Sequence, residues 1–184
     1  MLTLESLCSQ LSADPLRDTD AHPLVLYSLA RFLPALKAVE IGVDDGSTTR
    51  PLLLGVSAVD GHLWSVDPAP CEATKAHIAE SGYADRWTFE NTTSSEFAAR
   101  APQPLDLVFI DGDDSFEGVA RDWLDYEPLV RPDGLIVLHD ALNKKEFPGI
   151  SDLIDKHIRP FWERWECATL PWGWGLTIVR KVKI

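Results

Sequence analysis

The sequence predicts an α/β protein whose sheet is mostly parallel, with helices on both faces and an antiparallel strand near the C-terminus. Short apolar runs alternate with helix-like segments between residues 38 and 138, which is typical of a parallel sheet with helical crossovers. The run Leu105–Ile110 is almost continuously apolar, as expected for a central strand buried on both faces. Two further strand-like runs, Trp165–Leu170 and Leu176–Val179, are joined by a Pro/Gly-rich turn and predict a C-terminal hairpin.

The predicted elements follow from apolar spacing and from the residues that punctuate it. Two helices, Leu2–Leu11 and His22–Leu36, come first and form a predicted N-terminal helical cap over residues 1–36. The strands that follow are Ala38–Ile41, Leu63–Val66, Trp87–Phe89, Leu105–Ile110 and Leu135–Leu138. The helices that accompany them are Thr48–Val56, Glu72–Glu80, Ser94–Arg100, Ser115–Tyr126 and Ile150–His157. A chain of 184 residues is long enough for one domain, 1–184, with one core.

Composition restricts the classes of partner. The formal net charge is −12, so the chain lacks the basic surface that drives binding to DNA or RNA, and we expect no nucleic-acid substrate. Cys8, Cys71 and Cys167 are far apart and form no CxxC pair, which argues against a disulfide framework and a structural zinc site and favours a reducing cytoplasm. No apolar run reaches the length of a membrane span, so the sequence predicts a soluble protein without a membrane partner.

The most informative stretch is VEIGVDDGSTT at residues 39–49. An apolar strand leads into an acid, two glycines and hydroxyl residues that can begin a helix, and such a junction is typical of a cofactor site. A dinucleotide fingerprint needs GxGxxG to seat a pyrophosphate, whereas Gly42 and Gly46 enclose three residues, two of them aspartates. Aspartates repel a pyrophosphate but suit a ligand with an ammonium or sulfonium charge. The turn therefore predicts S-adenosylmethionine (SAM) as the cofactor.

Motifs along nearly the whole chain resemble those of one family. They are VEIGVDDGSTTRPLL at 39–53, SVDP at 65–68, DLVFIDGDDSFEGVARDW at 106–123, LVRPDGLIVLHD at 129–140, FPGISDLIDKH at 147–157 and GWGLTIVRK at 173–181. In order and spacing they resemble the class I SAM-dependent methyltransferases, particularly a short bacterial group with IDGDHSYEGV and GGLIVLHD signatures. The resemblance implies a Rossmann-like, seven-stranded sheet and an enzyme that methylates a small-molecule acceptor, with a hydroxyl as the expected target.

The residues expected to bind the cofactor are Glu40, Gly42, Asp44, Gly46, Ser47, Asp67, Thr92, Thr93 and Asp111. Asp67 follows the second strand about 20 residues after Gly46, and its carboxylate can accept hydrogen bonds from both ribose hydroxyls. By resemblance, Glu40 and the glycines would line the methionine part of SAM, with Glu40 near the amino group. The loop that contains Thr92, Thr93 and Ser94 would contact the adenine, and Asp111 would lie beside the sulfonium.

The sequence departs from the family pattern at two positions. Asp44 stands where the family has the central glycine of GxGxG, and Asp114 stands where it has a histidine after DGD. Asp44 leaves cofactor binding in place. Asp114 removes a candidate base or ligand and weakens a transfer of the family's mechanism to this chain.

Methyl transfer is an in-line displacement, so most of its acceleration can come from positioning, with proton removal added when the acceptor is a hydroxyl. His139 follows the fifth strand and is the candidate general base, with Asp111 beside it, although a structural role for the histidine is an equal alternative. Asp111 and Asp140, with Asn143 as a further candidate, are alternatively expected to hold Mg²⁺ or another divalent cation. A resemblance to the metal-dependent catechol-type O-methyltransferases supports Asp111 and Asp140 as ligands.

Other functions remain open on the sequence alone. Asp111 and Asp113 after an apolar strand also resemble the DxD of metal-dependent glycosyltransferases, and the same loop loosely resembles the nucleophile loop of aspartate-based phosphohydrolases. A solvated acidic loop is the simplest alternative. A third hypothesis is a non-catalytic, methyltransferase-like partner subunit, which Asp114 keeps open.

The last quarter of the chain is rich in tryptophan. Its members are Trp162, Trp165, Trp172 and Trp174. Core or interface positions are commoner for tryptophan than a substrate cage. An exposed group would favour a homo-oligomer contact or a lid over the acceptor pocket.

Overall fold

A computed structural model describes residues 1–8, 22–34 and 36–183. The strands within these ranges are β1 (Lys37–Ile41), β2 (His62–Val66), β3 (Trp87–Glu90), β4 (Leu105–Ile110), β5 (Val130–Leu138), β6 (Trp165–Leu170) and β7 (Leu176–Lys181). The α-helices are α1 (Leu4–Cys8), α2 (Pro23–Leu29), α3 (Thr49–Ser57), α4 (Glu72–Ala79), α5 (Ser94–Ala98), α6 (Phe116–Tyr126) and α7 (Pro148–Leu153).

The strands form one sheet in the order β3-β2-β1-β4-β5-β7-β6. The first five strands are parallel to one another, and β7 runs antiparallel between β5 and β6. The predicted fold class, a seven-stranded mostly parallel sheet with an antiparallel C-terminal strand, is therefore confirmed. Because β1 lies between β2 and β4, the carboxyl ends of these three strands meet at one edge, where open α/β sheets bind ligands.

An apolar core covers each face of the sheet. Along β4, Leu107 and Phe109 join the core under α2, α3 and α4, whereas Val108 and Ile110 join the core under α5, α6 and α7. This alternation follows from the two-residue period of a strand. It explains why β4 reads as a continuous apolar run, because a strand covered on both faces has no solvent-facing side.

The helices agree with the predicted positions but differ in length. α2 ends at Leu29 rather than Leu36, because Leu36 already serves the sheet, where its carbonyl accepts a hydrogen bond from His62 N. α7 begins at Pro148, and a π-helical turn, Ile154–Ile158, continues it. The predicted helix Leu2–Leu11 is represented by α1, and its last three residues lie outside the described ranges.

The N-terminal helical segments pack beside the sheet. α2 contributes Leu26 to the same core as Leu52 and Leu53 of α3, and Leu2 packs against Leu54. The predicted cap over residues 1–36 is thus, in its described part, a layer on α3. In the described ranges no helix is long and apolar enough to span a bilayer.

Candidate functional site

A cavity of about 770 Å³ opens at the carboxyl ends of β1, β2, β4 and β5. Most of its lining residues lie at the ends of the strands or in the loops that follow them. The residues are Ile41, Gly42, Val43, Asp44, Ser47, Thr48, Val66, Asp67, Pro68, Thr93, Ser94, Asp111, Gly112, Asp113, Asp114, Gly118, Arg121, Asp122, Asp140, Phe147 and Trp174.

The turn after β1 needs a glycine at position 42. Gly42 has φ +85°, and a Cβ there would lie 2.0 Å from the carbonyl oxygen of Asp111. The loops after β1 and β4 therefore approach each other more closely than any side chain allows. Asp44 adopts a left-handed φ of +44°, and its carbonyl accepts a hydrogen bond from Thr74 Oγ1. Asp44 thus fits the place of the family's glycine, since aspartate tolerates this region better than most residues.

Asp67, which follows β2, lines the cavity. Its Oδ2 accepts a hydrogen bond of 2.9 Å from the backbone N–H of Val43, and its Oδ1 accepts one of 2.7 Å from Ala69. The amide of Asn91 donates to the carbonyls of Asp67, Pro68 and Ala69 and holds this turn in place. Each carboxylate oxygen has a second lone pair, so Asp67 is oriented by the backbone and can still accept hydrogen bonds from a ligand.

Glu40 lies behind the glycine turn rather than in the cavity lining, and its place near the amino group of SAM stays a prediction. Its side chain is fully buried, does not line the cavity, and accepts hydrogen bonds from Thr48, Thr49 and Ser65. Burial raises the pKa of Glu40 to about 7, while the three hydroxyl bonds act in the opposite direction. In this geometry Glu40 joins the start of α3 to β1 and β2.

The end of the cavity next to β3 is formed by Thr93 and Ser94. Thr93 is the N-cap of α5 and forms a reciprocal capping box with Glu96. Thr92 also donates to Glu96 and does not line the cavity, so of the two predicted threonines only Thr93 reaches it. Asp122 of α6 accepts a hydrogen bond from Ser94 and lines the same end.

An acid–histidine cluster lies at the ends of β4 and β5. His139 Nδ1 is 3.2 Å from Asp111 Oδ1 and 3.3 Å from Asp140 Oδ2. The imidazole is 1% exposed and lies behind the cavity lining, whereas both aspartates reach the cavity. Burial lowers the pKa of His139, but the hydrogen bonds and charges of the two aspartates outweigh it and raise the pKa well above its usual value. His139 itself does not line the cavity and contacts it through these two aspartates, and its role as a general base stays a prediction.

Two members of this cluster, Asp111 and Asp140, are the predicted metal ligands. One ligand atom each from Asp111, His139 and Asp140 lies within 4.8 Å of the others. Asp140 has a left-handed φ of +55°, and its Oδ1 is buried without a hydrogen bond among the described residues. A buried carboxylate oxygen without a donor fits a cation. The side-chain oxygen of Asn143, the further candidate, accepts a hydrogen bond of 3.2 Å from the backbone N–H of Glu146, and its role as a ligand stays a prediction.

Acidic and aromatic side chains form the remaining end of the cavity. Phe147 and Trp174 pack 5.6 Å apart by ring centroids and line the cavity together with Asp111 and Asp114. Burial and the charges of Asp140 and Asp111 raise the pKa of Asp114 to about 7. A second cavity of about 420 Å³ shares Asp113, Asp114 and Phe147 with the first, and its further lining includes Glu146 and Asp152. This end of the site is therefore strongly acidic.

The tryptophans divide between the core and the surface. Trp165 is buried against Trp123, with ring centroids 5.2 Å apart. Trp174 lines the cavity, and Trp162 and Trp172 are exposed. The homo-oligomer contact through this region stays a prediction.

The structure brings most of the predicted site residues together. Those that line the cavity are Gly42, Asp44, Ser47, Asp67, Thr93, Asp111 and Asp140. Those that do not are Glu40, Gly46, Thr92 and His139. A Cβ on Gly46 would lie 2.6 Å from Thr74 Cγ2, so Gly46 permits the packing of α4 on the turn.

Sequence reasoning missed three contributors. Asn91 lies in a polar loop and Asp122 lies among the polar residues of α6, so neither stands out in the sequence. His22 precedes α2, is fully buried, and its Nε2 lies 3.0 Å from the carbonyl oxygen of Trp172. Its ring meets that of His139 edge-on at 5.3 Å. An asparagine directly after a strand is a signal that could have identified the first of these, whereas the other two depend on tertiary contacts.

Comparison with known proteins identifies the family of the chain. Residues 39–141, more than half of the chain, match the sequence pattern of a family described as a methyltransferase domain. The chain belongs to the methyltransferase-domain family. The predicted family and enzyme class are thus confirmed, and the family favours methyl transfer over the glycosyltransferase alternative. Asp113 agrees with this, because its Oδ1 accepts a hydrogen bond from Ser115 N and Asp113 is not part of the acid–histidine cluster. No curated protein matches the chain of this methyltransferase.

Solved structures share the fold of this methyltransferase. A protein from Corynebacterium glutamicum is 23% identical, with a TM-score of 0.79 over 100% of this chain and 93% of that chain. The O-methyltransferase TomG from Streptomyces achromogenes, solved in complex with SAM, is 18% identical, with a TM-score of 0.69 over 98% and 91%. An O-methyltransferase from Bacillus cereus, solved in complex with S-adenosylhomocysteine (SAH), is 18% identical, with a TM-score of 0.67 over 97% and 90%.

Proposed function

We propose that this methyltransferase transfers the methyl group of SAM to a hydroxyl oxygen of a small molecule. The observation that carries the proposal is the cavity around Asp67, which lies at the carboxyl ends of the strands of a methyltransferase sheet and has the volume of a small-molecule site. Two of the structural relatives are O-methyltransferases solved with SAM or SAH, which supports the same cofactor and target atom.

The cofactor spans the central part of the cavity in this proposal. Asp67 receives the ribose hydroxyls, and the turn at Gly42, Asp44 and Ser47 carries the methionine part. Asp111 lies beside the sulfonium, whose positive charge its carboxylate stabilises. A pyrophosphate does not suit this lining, because the turn and the neighbouring strand end carry carboxylates rather than free helical N–H groups.

The acceptor occupies the end between the aspartates and the two aromatic rings of Phe147 and Trp174. The rings restrict the orientation of a flat or compact molecule, and positioning supplies most of the acceleration of an in-line displacement. A hydroxyl proton must be taken by a group that reaches the cavity. Three aspartates, Asp111, Asp114 and Asp140, line the cavity and are the candidate proton acceptors. His139 does not line it and acts through Asp111 and Asp140, which it contacts.

A divalent cation is a candidate participant. Asp111 and Asp140 would hold it, and the buried Oδ1 of Asp140 is the observation that favours it. A bound Mg²⁺ would supply Lewis acidity that lowers the pKa of a substrate hydroxyl. His139 would orient the two carboxylates in either case.

Binding and turnover test the proposed function. We expect SAH to bind with a measurable heat in titration calorimetry and to raise the melting temperature, and a UDP-sugar to do neither. Transfer of the labelled methyl group of SAM to a panel of phenols, sugars and other small hydroxyl compounds would identify the acceptor. Failure of SAH to bind, or preferential binding of the UDP-sugar, would refute the proposal. Cofactor binding without any methylated product would favour a non-catalytic partner subunit.

Chelation tests the metal separately. If a cation assists, exhaustive EDTA treatment removes turnover and added Mg²⁺ or Mn²⁺ restores it, and Asp140→Asn abolishes the rise in melting temperature that these ions produce. Asp113→Asn is the matched control for ion binding, because Asp113 lies next to the cluster without belonging to it. Full activity after chelation would exclude the metal.

A cytoplasmic location stays a prediction from the cysteine pattern.

A further inference from the structure

The side chain of Asp122 combines burial with an open hydrogen-bonding position at the cavity. The residue is 4% exposed, yet it lines the cavity. Its Oδ1 accepts the hydroxyl of Ser94, while Oδ2 lies 3.7 Å from the point that a Cβ on Gly112 would occupy. The described residues give Oδ2 no hydrogen bond. Oδ2 therefore keeps its lone pairs open to a hydrogen-bond donor of a ligand in the cavity that Asp122 lines.

The position of Asp122 assigns it to one part of the ligand. Asp67 marks the place of the ribose, and the cavity continues from there to Thr93 and Ser94 at the start of α5. Asp122 closes this end from α6. A nucleoside whose ribose lies on Asp67 therefore directs its base toward Thr93, Ser94 and Asp122, away from the acceptor end at Phe147 and Trp174.

The chemistry of a carboxylate determines which base it accepts. An ionised carboxylate has acceptors only, so it favours an edge that donates a hydrogen bond and repels a carbonyl. Adenine presents its exocyclic amino group, whereas hypoxanthine has a carbonyl oxygen at the same position. We propose that Asp122 is a specificity-determining residue of the cofactor site, which selects the adenosyl group by accepting a hydrogen bond from the 6-amino group of the base. This inference rests on the proposed function.

Asp122 also has a structural contact that must be separated from this role. Two hydrogen bonds join the start of α5 to α6, one from Ser94 to Asp122 and one from Ser95 Oγ to Asp125 Oδ2 at 2.6 Å. Tyr126 adds a third contact through its hydroxyl, which donates to the carbonyl of Ser94 at 2.8 Å. Asp125 does not line the cavity. It is therefore a matched control, because it forms the same kind of tether without facing the ligand.

The test compares ligands that differ only in the base. The probes are SAH, S-inosylhomocysteine with a 6-carbonyl group, and the purine analogue of SAH with hydrogen at position 6. Burial raises the pKa of Asp122 to about 6, and the Ser94 bond opposes this shift, so calorimetry at about pH 8 keeps the carboxylate ionised. We expect the wild-type protein to bind SAH about 10- to 100-fold more tightly than either analogue, as for a hydrogen bond to a charged group.

The variants then locate the source of the discrimination. Asparagine presents either an oxygen or an amide N–H₂, so Asp122→Asn is expected to reduce the preference for SAH over the inosyl analogue at least fivefold. Asp125→Asn is expected to leave the preference unchanged even if it lowers the melting temperature. If the role of Asp122 were purely structural, Asp122→Asn would weaken the binding of all three ligands by the same factor.

Two results would overturn the inference. One is a wild-type protein that binds the three ligands equally, a result that needs no variant and does not depend on whether Asp122→Asn folds. The other is discrimination that survives intact in Asp122→Asn. If SAH itself failed to bind, the proposed function would fail first, so the two failures are distinguishable.

Discussion

Glu40 illustrates how one residue can be placed near a ligand turn for a structural reason. Burying a carboxylate without partners is strongly unfavourable. The hydroxyls of Thr48, Thr49 and Ser65 donate hydrogen bonds to Glu40 in place of the water molecules that would otherwise solvate it. Two of these donors belong to the start of α3 and one to β2. The group therefore fixes the position of the glycine turn relative to the sheet, which is a requirement for the cavity rather than a contact within it.

The titration of Glu40 predicts a dependence of stability on pH. Its pKa is raised from the ordinary 4.5 to about 7, chiefly by burial. Between these values the folded protein retains a proton that the unfolded chain has lost, so the contribution of Glu40 to the free energy of unfolding falls as pH rises through this window. Glu40→Gln removes the titration. We expect its melting temperature, relative to wild type, to rise by about 2 °C or more between about pH 5 and pH 8.

Thermal unfolding at several pH values measures this difference. Glu117→Gln is the control, because Glu117 is exposed and lies outside both cavities. A difference between Glu40→Gln and wild type that does not change with pH would contradict the assignment.

Asp67 predicts the strongest effect of a single residue on cofactor binding. Asp67→Ala removes the proposed acceptor for the ribose and leaves the N–H groups of Val43 and Ala69 without their partner. We expect the affinity for SAH to fall more than tenfold in titration calorimetry, as for loss of hydrogen bonds to a charged group. Asp67→Asn keeps one acceptor oxygen and should lose less. Wild-type affinity in Asp67→Ala would refute the role.

At the scale of elements, apolar periodicity predicted each strand, and the bounds agree within two residues except for β5, which begins at Val130 rather than at Leu135. The reason is physical: a strand such as β4 that is buried on both faces tolerates almost no polar residue. Side-chain direction at the strand ends was not predictable. His139 and Asp140 are adjacent in sequence, yet one ring turns away from the cavity and the other side chain lines it. Similarly, Asp122 depends on the packing of α6 against α5, which no local pattern of the sequence encodes.

The start of α6 positions the acidic loop after β4. Ser115 is the N-cap, and its hydroxyl accepts a hydrogen bond of 3.0 Å from Gly118 N. Gly118 also allows Asp113 to approach, since a Cβ there would lie 2.3 Å from its carboxyl carbon. The helix start and the loop that contains Asp114 are therefore one structural unit.

The N-cap predicts a specific loss of stability. Ser115→Ala is expected to lower the free energy of unfolding by about 1 kcal/mol, because an orphan N–H at the helix start loses its acceptor. The matched control is Ser57→Ala, since the Oγ of Ser57 is buried and makes no hydrogen bond within the described residues. Removing it should be neutral or stabilising. Denaturant unfolding of both variants measures the contrast, and an equal loss in the two would contradict it.

At the scale of the whole molecule, negative charge dominates both the chain and its site. The net charge is −12, and Arg121 is the only lysine or arginine in the lining of the larger cavity as described. The acceptor end includes Asp111, Asp114 and Asp140, and the adjoining cavity adds Glu146 and Asp152. An acidic cavity with aromatic walls attracts positive charge and repels negative charge more strongly than a flat surface does.

This field predicts an order of affinity among acceptors of equal shape. In the presence of SAH and a chelator, the cation tyramine should bind more tightly than the neutral 4-ethylphenol, and the anion 3-(4-hydroxyphenyl)propanoate should bind most weakly. Each exposed carboxylate contributes a factor of about 1.5 to 5. Because Asp152 lines only the adjoining cavity, Asp152→Asn should narrow the range of acceptor affinities without affecting SAH affinity. Added salt should narrow this range of affinities further, because salt screens exposed charges. Tightest binding of the anion would show that a bound cation or an unrecognised basic group, rather than the carboxylates, sets the charge of the acceptor site.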